Sequence, residues 1–461
     1  MDMRRSWSDT VCGRRWLVPL MLLPLIVLSS RPAALAASSS AFNWQQYKGT
    51  TLRVLLSQSH WQQVIIPYLL EFEKLTGMNL TVEMPPQAKL WDILEKELPE
   101  PGRVDVFMTH PGLDGIRYYR AGWIQPVNEY LKNPSLTAPD YNWEDFFPRA
   151  RAAMEIEGAT LGPPVMGEYL ALIYRKDLFK THQIAVPRTL DELEAAARLL
   201  HNKPMAPDGS TGVGIVSRGN GVAATAVYAA ILHALGGTWM DGSGRPTINE
   251  PVGLAALERL GRLLGRYGPP NISDFGWQEA SKMFAAGKAA MYIEGSSVYP
   301  LIEQDVKSQV AGKVGYAVFP SGPGGHGTTV AVRGLSISRQ STNPKAAWLF
   351  LQWATSPDMV LRALAQGVIV GRQSAWQDKG AIGDVPPDLA QALQEAGRVG
   401  TPRWAPPMVA VTSAREAVGK AITAAIRGED LRSAANVAAQ RLEEILNMTE
   451  RPASRPPRAT P

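Results

Sequence analysis

Apolar and polar residues alternate through Leu52, Val54 and Leu56, a period of two that predicts a strand over TLRVLLS, followed by a loop at Gln58–Trp61. The period then lengthens to that of a helix, with Val64, Tyr68, Phe72 and Leu75 on one face and a stop at Gly77. A strand at Leu80–Met84, a helix around Leu90–Leu98 and a buried-type strand at Val104–Met108 come next, the last running into the loop Thr109–Asp114. Such alternation predicts an open, mostly parallel α/β sheet, in which the ligand crevice forms from loops at the carboxyl ends of strands. Gln58–Trp61 and Thr109–Asp114 are therefore expected at one edge of a site.

The second half of the chain carries the same signals. Gly162–Phe179 has two prolines, a flexible Gly167-Glu168-Tyr169 and a strand at Leu170–Tyr174, which suits a segment crossing between lobes. Thr189 opens a helix with a capping box, Glu192 answering its amide, and Leu190, Leu193, Ala197 and Leu200 form the buried stripe. The strand Gly212–Ser217 ends in Arg218-Gly219-Asn220-Gly221, which lacks the G-K-[ST] ending of a nucleotide loop and is expected to present Arg218 to a cleft. Helices over Ala223–Leu235 and Pro251–Leu264 follow, with Trp239 in the turn between them and Trp277 in a later loop. A helix then stops at Gly287, and a strand at Ala289–Ile293 opens into Glu294-Gly295-Ser296-Ser297, where a glycine after an apolar strand allows close backbone approach. Strands are expected at Val314–Phe319 and Thr329–Ile337, the latter bent at Gly334. Asn343-Pro344 and Ser356-Pro357 read as helix starts. Asp388–Leu446 is Ala-rich helix, interrupted by a Pro-rich loop, Thr401–Pro407, that carries Trp404.

A chain of 461 residues is long enough for two domains. Its formal charge of +5 sits at the ends: five Arg against two Asp in the first 37 residues, three Arg against one Glu after Met448. The body is near neutral, which argues against a nucleic-acid groove. Arg4, Arg5, Arg14 and Arg15, then the apolar run Trp16–Leu28 and the A-x-A site before Ala37, predict a secretory signal peptide over residues 1–36. The sole cysteine, Cys12, lies inside that leader without a lipobox context, so neither a disulfide nor a lipid anchor is expected. The protein is expected to be exported, to the periplasm or the outer face of the cytoplasmic membrane. The Pro/Arg-rich tail, 449–461, reads as disordered.

Several separated segments resemble the family-1 extracellular solute-binding proteins, the sugar-capturing subunits of bacterial ABC importers. They are Phe72-Glu73-Lys74-Leu75-Thr76-Gly77, Ala121–Val127 (AGWIQPV), Leu170–Phe179 (LALIYRKDLF), Phe284–Gly295 (FAAGKAAMYIEG) and Ala347–Pro357 (AWLFLQWATSP). The match covers nearly all of residues 50–446, in the family's order. Tyr267-Gly268-Pro269-Pro270 ahead of the fourth segment is similar to the branch that takes polyols and small sugars. The resemblance implies a two-lobe periplasmic-binding-protein fold of the maltose-binding kind, with a cleft between the lobes. Lobe 1 is expected over 50–166 and 334–375, lobe 2 over 167–333 and, with the C-terminal helices, over 376–448. It further implies a monomer that closes on a carbohydrate or polyol and docks on permease subunits driven by a cytoplasmic ATPase, with no cofactor, no metal and no nucleic acid.

Sugar binding asks for aromatic faces against C–H surfaces and planar polar groups for hydroxyls. Among the loop tryptophans Trp61, Trp239, Trp277, Trp376 and Trp404, two or three are expected to line the cleft. The substrate-binding candidates are Gln58, His60, Trp61, Asp114, Glu168, Tyr169, Arg218, Trp239, Trp277, Glu294, Ser296, Arg333 and Trp404. Ser296 and Ser297 stand where maltose-binding relatives place a Trp, which turns the expectation away from maltodextrin. Two other readings stay open: the same fold taking a non-sugar ligand or serving a sensor, and a secreted glycoside hydrolase using two of Asp114, Glu168 and Glu294. No hydrolase signature surrounds those carboxylates, no catalytic residue is assigned, and six scattered His form no metal-binding pattern.

Overall fold

Eight longer strands carry the architecture: β1 (Thr51–Leu55), β2 (Asn79–Glu83), β3 (Val106–Thr109), β4 (Pro164–Arg175), β5 (Thr211–Ser217), β6 (Ala289–Gly295), β7 (Val314–Val318) and β8 (Val330–Ser338). The computed structural model describes residues 41–383 and 385–450. The expected signal peptide and nearly all of the tail lie outside those residues. With the two-residue strands Ile124–Gln125 and Lys203–Pro204, the eight form one ten-stranded sheet in the order β2-β1-β3-β8-β4-β6-β5.

Pairing is parallel between β1 and β2, β1 and β3, and β5 and β6, but β8 and β4 run antiparallel to each other and to β3 and β6 respectively. The sheet is thus mixed, where the strand-helix alternation predicted a mostly parallel one. Alternation reports only consecutive units, whereas β8 inserts from far along the chain. The two long strands explain the division into two halves. The first part of β4 pairs with β8, and its second part pairs with β6 and β7; β8 in turn passes on to β3. Its register shifts between Arg333 and Gly334, where a mid-strand glycine predicted a bend.

Local chemistry sets the helices. Val64, Tyr68, Phe72 and Leu75 do not form one helix: Pro67 lacks an amide hydrogen, and the chain tightens to a 3-10 turn between His60–Ile65 and Leu69–Thr76. Phe72 is buried edge-to-face on Phe350, with ring centroids 5.3 Å apart, but Leu75 faces solvent. Gly77 ends the second helix at φ 68°, as its position predicted. The Thr189 capping box forms, and Ser356 accepts from the Met359 amide. Asn343 makes no side-chain cap; its amide donates to Thr342 instead. Trp277 is the first residue of the helix Trp277–Ala285 rather than part of a loop. The C-terminal helices Val411–Arg427 and Leu431–Thr449 pack on each other and on Pro251–Tyr267.

One buried cation ties the first half together. Arg372 is fully buried, donates to the carbonyls of Thr355, Asn142 and Tyr141 at 2.8, 3.0 and 2.7 Å, and lies 3.2 Å from Asp145. Its guanidinium sits 4.1 Å from the centroid of Phe146. Each of the three guanidinium nitrogens donates, which meets the need of a charge kept in a core. No helix among the described residues is long and apolar enough to cross a membrane.

Candidate functional site

The strand ends converge on a cavity of about 230 Å³. The turn after β3 supplies His110 and Leu113; β4 supplies Glu168 and Leu170; the ends of β5 and β6 supply Arg218 and Glu294; the segment entering β8 supplies Thr329 and Ala331. The C-terminal region closes the wall with Trp404 and Arg415. Both halves of the sheet and the ribbon between them therefore face one space. A larger hollow of about 620 Å³ adjoins it across Leu113, between the turn after β3 and the loop that carries Trp404, whereas one of about 790 Å³ lies apart, beside the helix Pro387–Val399.

Charge organises the cavity. Arg218 grips Glu294 in a bidentate pair, with Nε 2.9 and 2.7 Å from the two carboxylate oxygens and Nη2 bonded to Oε1. Glu294 is 1% exposed and also accepts from the Gly295 amide at 2.7 Å. Glu168 lies 4.0 Å from the same guanidinium and accepts from Ser297 Oγ at 2.6 Å. Burial lowers the pKa of Arg218, but the Glu294 charge and hydrogen bonds outweigh it and hold the guanidinium above its usual range.

The opposite wall is undercompensated. Arg415 lies with its guanidinium carbon 5.2 Å from the centroid of the Trp404 ring; Nη2 donates to the Val222 carbonyl at 2.9 Å, and Nε is buried without a partner. His110 Nδ1 is likewise buried and unpartnered, and its ring packs on Trp404 with centroids 5.8 Å apart. Burial, then the positive charge of Arg333 and Arg415, pushes the His110 imidazole down to about 3, so it is neutral at ordinary pH. Burial also lowers Arg333, which Glu168 partly offsets, and Arg415, which Arg218 lowers further.

The family described as bacterial extracellular solute-binding protein matches residues 59–360, well over half of the chain. The chain belongs to this family. Among similar proteins are the erythritol/L-threitol-binding protein of Mycolicibacterium smegmatis, 27% identical over 76% of each chain, and the mannitol-binding protein of Pseudomonas aeruginosa, 25% identical over 80% of this chain and 76% of that one. An ABC transporter solute-binding protein of Agrobacterium radiobacter K84, solved with ribitol, superposes with a TM-score of 0.69 at 23% identity, covering 86% of this chain and 99% of the other. The fold is that of the maltose-binding-like periplasmic proteins.

In this solute-binding protein the cavity gathers Glu168, Arg218, Glu294 and Trp404. Ser296 stands beside them, its Oγ accepting from the Tyr169 amide at 3.2 Å, and Arg333 falls on the same strand face as Ala331 by the period of two. Other sequence candidates have different places. Asp114 is buried and clamps the turn, accepting from Thr109 Oγ1 at 2.6 Å, Trp91 Nε1 at 3.0 Å and the His110 amide at 3.0 Å. Tyr169 and Trp61 are buried among the core side chains. Trp239 packs on Tyr228, and its indole donates to the Arg403 carbonyl at 2.8 Å, anchoring the loop that carries Trp404. Gln58, His60 and Trp277 are exposed, and none of the three borders the cavity.

His110 and Arg415 were not foreseen. His110 lies in a loop that the strand-end rule had already placed at the crevice, and the choice of Asp114 passed over it. Arg415 sits in an Ala-rich helix beyond the family's matched span, with no local signal.

Proposed function

We propose that this chain is the substrate-binding subunit of an ABC importer and captures a small polyol or sugar between its two lobes. The observation that carries this reading is the cavity at the β4–β8 ribbon, lined from both halves of the sheet by converging polar groups and one indole. Its 230 Å³ corresponds to about eight waters at the share each takes in the liquid. That size suits a short polyol or a monosaccharide and not a long dextrin. The erythritol/L-threitol, mannitol and ribitol named for the similar proteins are of this size class.

Mechanism follows from the topology. Lobe 1 comprises residues 50–166 and 334–375, lobe 2 residues 167–333 and 376–448, and the first two of the three crossings run through β4 and β8. A ligand touching Arg218 and Glu294 on one side and His110 on the other gains contacts that need both lobes together, so it favours the closed form. That form is the one a membrane permease would engage. Residues 1–36 would direct export and be removed, and N-terminal sequencing of exported protein checks the cleavage after Ala36.

Thermal unfolding of residues 37–448 against tetritols, pentitols, hexitols, monosaccharides and disaccharides tests the reading. A ligand at about 100 times its Kd stabilises the folded state by about 2.7 kcal/mol, a readily measured shift. No shift with any polyhydroxy compound, or conversion of one to product, would refute it.

A further inference from the structure

The cavity's charges do not cancel. Three guanidiniums, Arg218, Arg333 and Arg415, act on it, against two carboxylates, Glu168 and Glu294. Arg218 is satisfied by Glu294. Among the described residues neither Arg333 nor Arg415 has a carboxylate within 4.0 Å, although both are half-buried and only Arg333 feels the more distant charge of Glu168. Beside them His110 is neutral and supplies no counter-charge. A buried cation without a partner is unfavourable, and buried donors are normally satisfied. Here Arg415 Nε and His110 Nδ1 both lack partners in one wall.

We propose that the natural ligand is a monoanionic polyhydroxy acid, a sugar acid whose carboxylate is bound by Arg415 beside His110, with Arg333 behind it, and whose hydroxyls face Glu168 and Arg218. This rests on the polyol-binding reading and narrows it. The excess of one positive charge calls for one negative charge. A phosphate ester, carrying nearly two, would exceed it. A carboxylate also fits the planar guanidinium fork. Trp404, on whose ring Arg415 stacks, holds that fork in place and presents the rest of its face to the ligand's carbon chain.

Calorimetric titration of the full mature chain with matched pairs decides it: ribitol and ribonate, mannitol and mannonate, glucose and glucuronate, with glycerol 3-phosphate as a separate arm. The acid of at least one pair is expected to bind about tenfold or more tighter than its neutral partner, from one charge-assisted hydrogen-bonded contact. Arg415→Gln should abolish that preference and Arg333→Gln reduce it, while Arg415→Lys keeps part of it. If Arg415→Gln does not fold, the wild type still answers. Rising salt should weaken the acid and leave the neutral partner unchanged. Neutral polyols binding as tightly as their acids would overturn this inference and leave the polyol reading standing. Tighter binding of the phosphate would overturn the charge count. No binding by either member of any pair would overturn the inference together with the reading beneath it.

Discussion

A Cβ on Gly112 would lie 2.4 Å from Nε1 of Trp404. Gly112 belongs to the turn after β3, and Trp404 to a loop held by Trp239 and His233, both of which bond the Arg403 carbonyl. The absence of a side chain at Gly112 therefore lets two separated parts of the chain meet at the cavity wall. Gly112→Ala should displace the indole and weaken ligand binding about tenfold, for a stability loss of about 1–3 kcal/mol from overpacking. Titration calorimetry with denaturant unfolding checks both. Unchanged affinity would mean that Trp404 is not part of the binding wall.

Removing the two members of the Arg218–Glu294 pair should not cost the same. Arg218→Met leaves a carboxylate that is 1% exposed without its cation, at a cost of about 3–5 kcal/mol. Glu294→Gln leaves Arg218 with Glu168 at 4.0 Å, so the loss should be smaller. The double variant should recover part of the Arg218→Met loss, a coupling of about 1 kcal/mol or more in a double-mutant cycle. Additive losses would show that the pair is not energetically coupled.

His110 and Asp114 oppose each other in acid. The His110 value is depressed from 6.5 to about 3, so the stability it contributes is present above pH 6.5 and is lost as pH falls toward 3. Asp114 is pushed up by burial from 3.8 to about 6, against the hydrogen bonds from Thr109, Trp91 and His110. Its folded form holds the proton more tightly, so its contribution is favourable below pH 3.8 and is lost as pH rises to 6. Between about pH 4 and 6 the two slopes should largely cancel. Urea midpoints at pH 7, 5.5 and 4.5 should therefore move more in His110→Gln and in Asp114→Asn than in the wild type. The midpoint should rise on acidification in the first and fall in the second.

Arg372→Met tests the buried cation of the first half. It strips three carbonyls and Asp145 of their donor, and a loss of about 3–5 kcal/mol is expected. Because Arg372 does not line the cavity, ligand affinity of the folded fraction should stay within about threefold of wild type. A large affinity change with little unfolding would contradict this division of roles.

The sequence made the elements legible wherever local chemistry decides them. The Thr189 capping box, the stop at Gly77 and the strand into Glu294 follow from short-range rules, and family motifs supplied the two-lobe plan. Arg218 and Glu294 stand at strand ends, where a strand's direction fixes where the next side chain points, whereas Glu168 lies inside β4, which is longer than the sequence pattern indicated. Tryptophans were not legible. A ring in a loop must be covered, but sequence does not say by what, and Trp239 is covered by protein. Asp114 shows the same ambiguity: an Asp near a strand end serves a ligand or clamps its own turn, and three donors within 3.0 Å assign it to the turn. Arg415 reaches the site only through the packing of helices some 200 residues away from Arg218, which no local pattern encodes.

The place of Val330–Ser338 in the sheet also governs the order of assembly. That strand lies between Val106–Thr109 and Pro164–Arg175, so the amino-terminal half of the sheet stays unfinished until residues more than 200 positions later have emerged. Until then β1, β2 and β3 can pair with one another, but the outer side of β3 is an open sheet edge. The partner strand that completes the early sheet is thus made only after Ser338, with 123 of the 461 residues still to come.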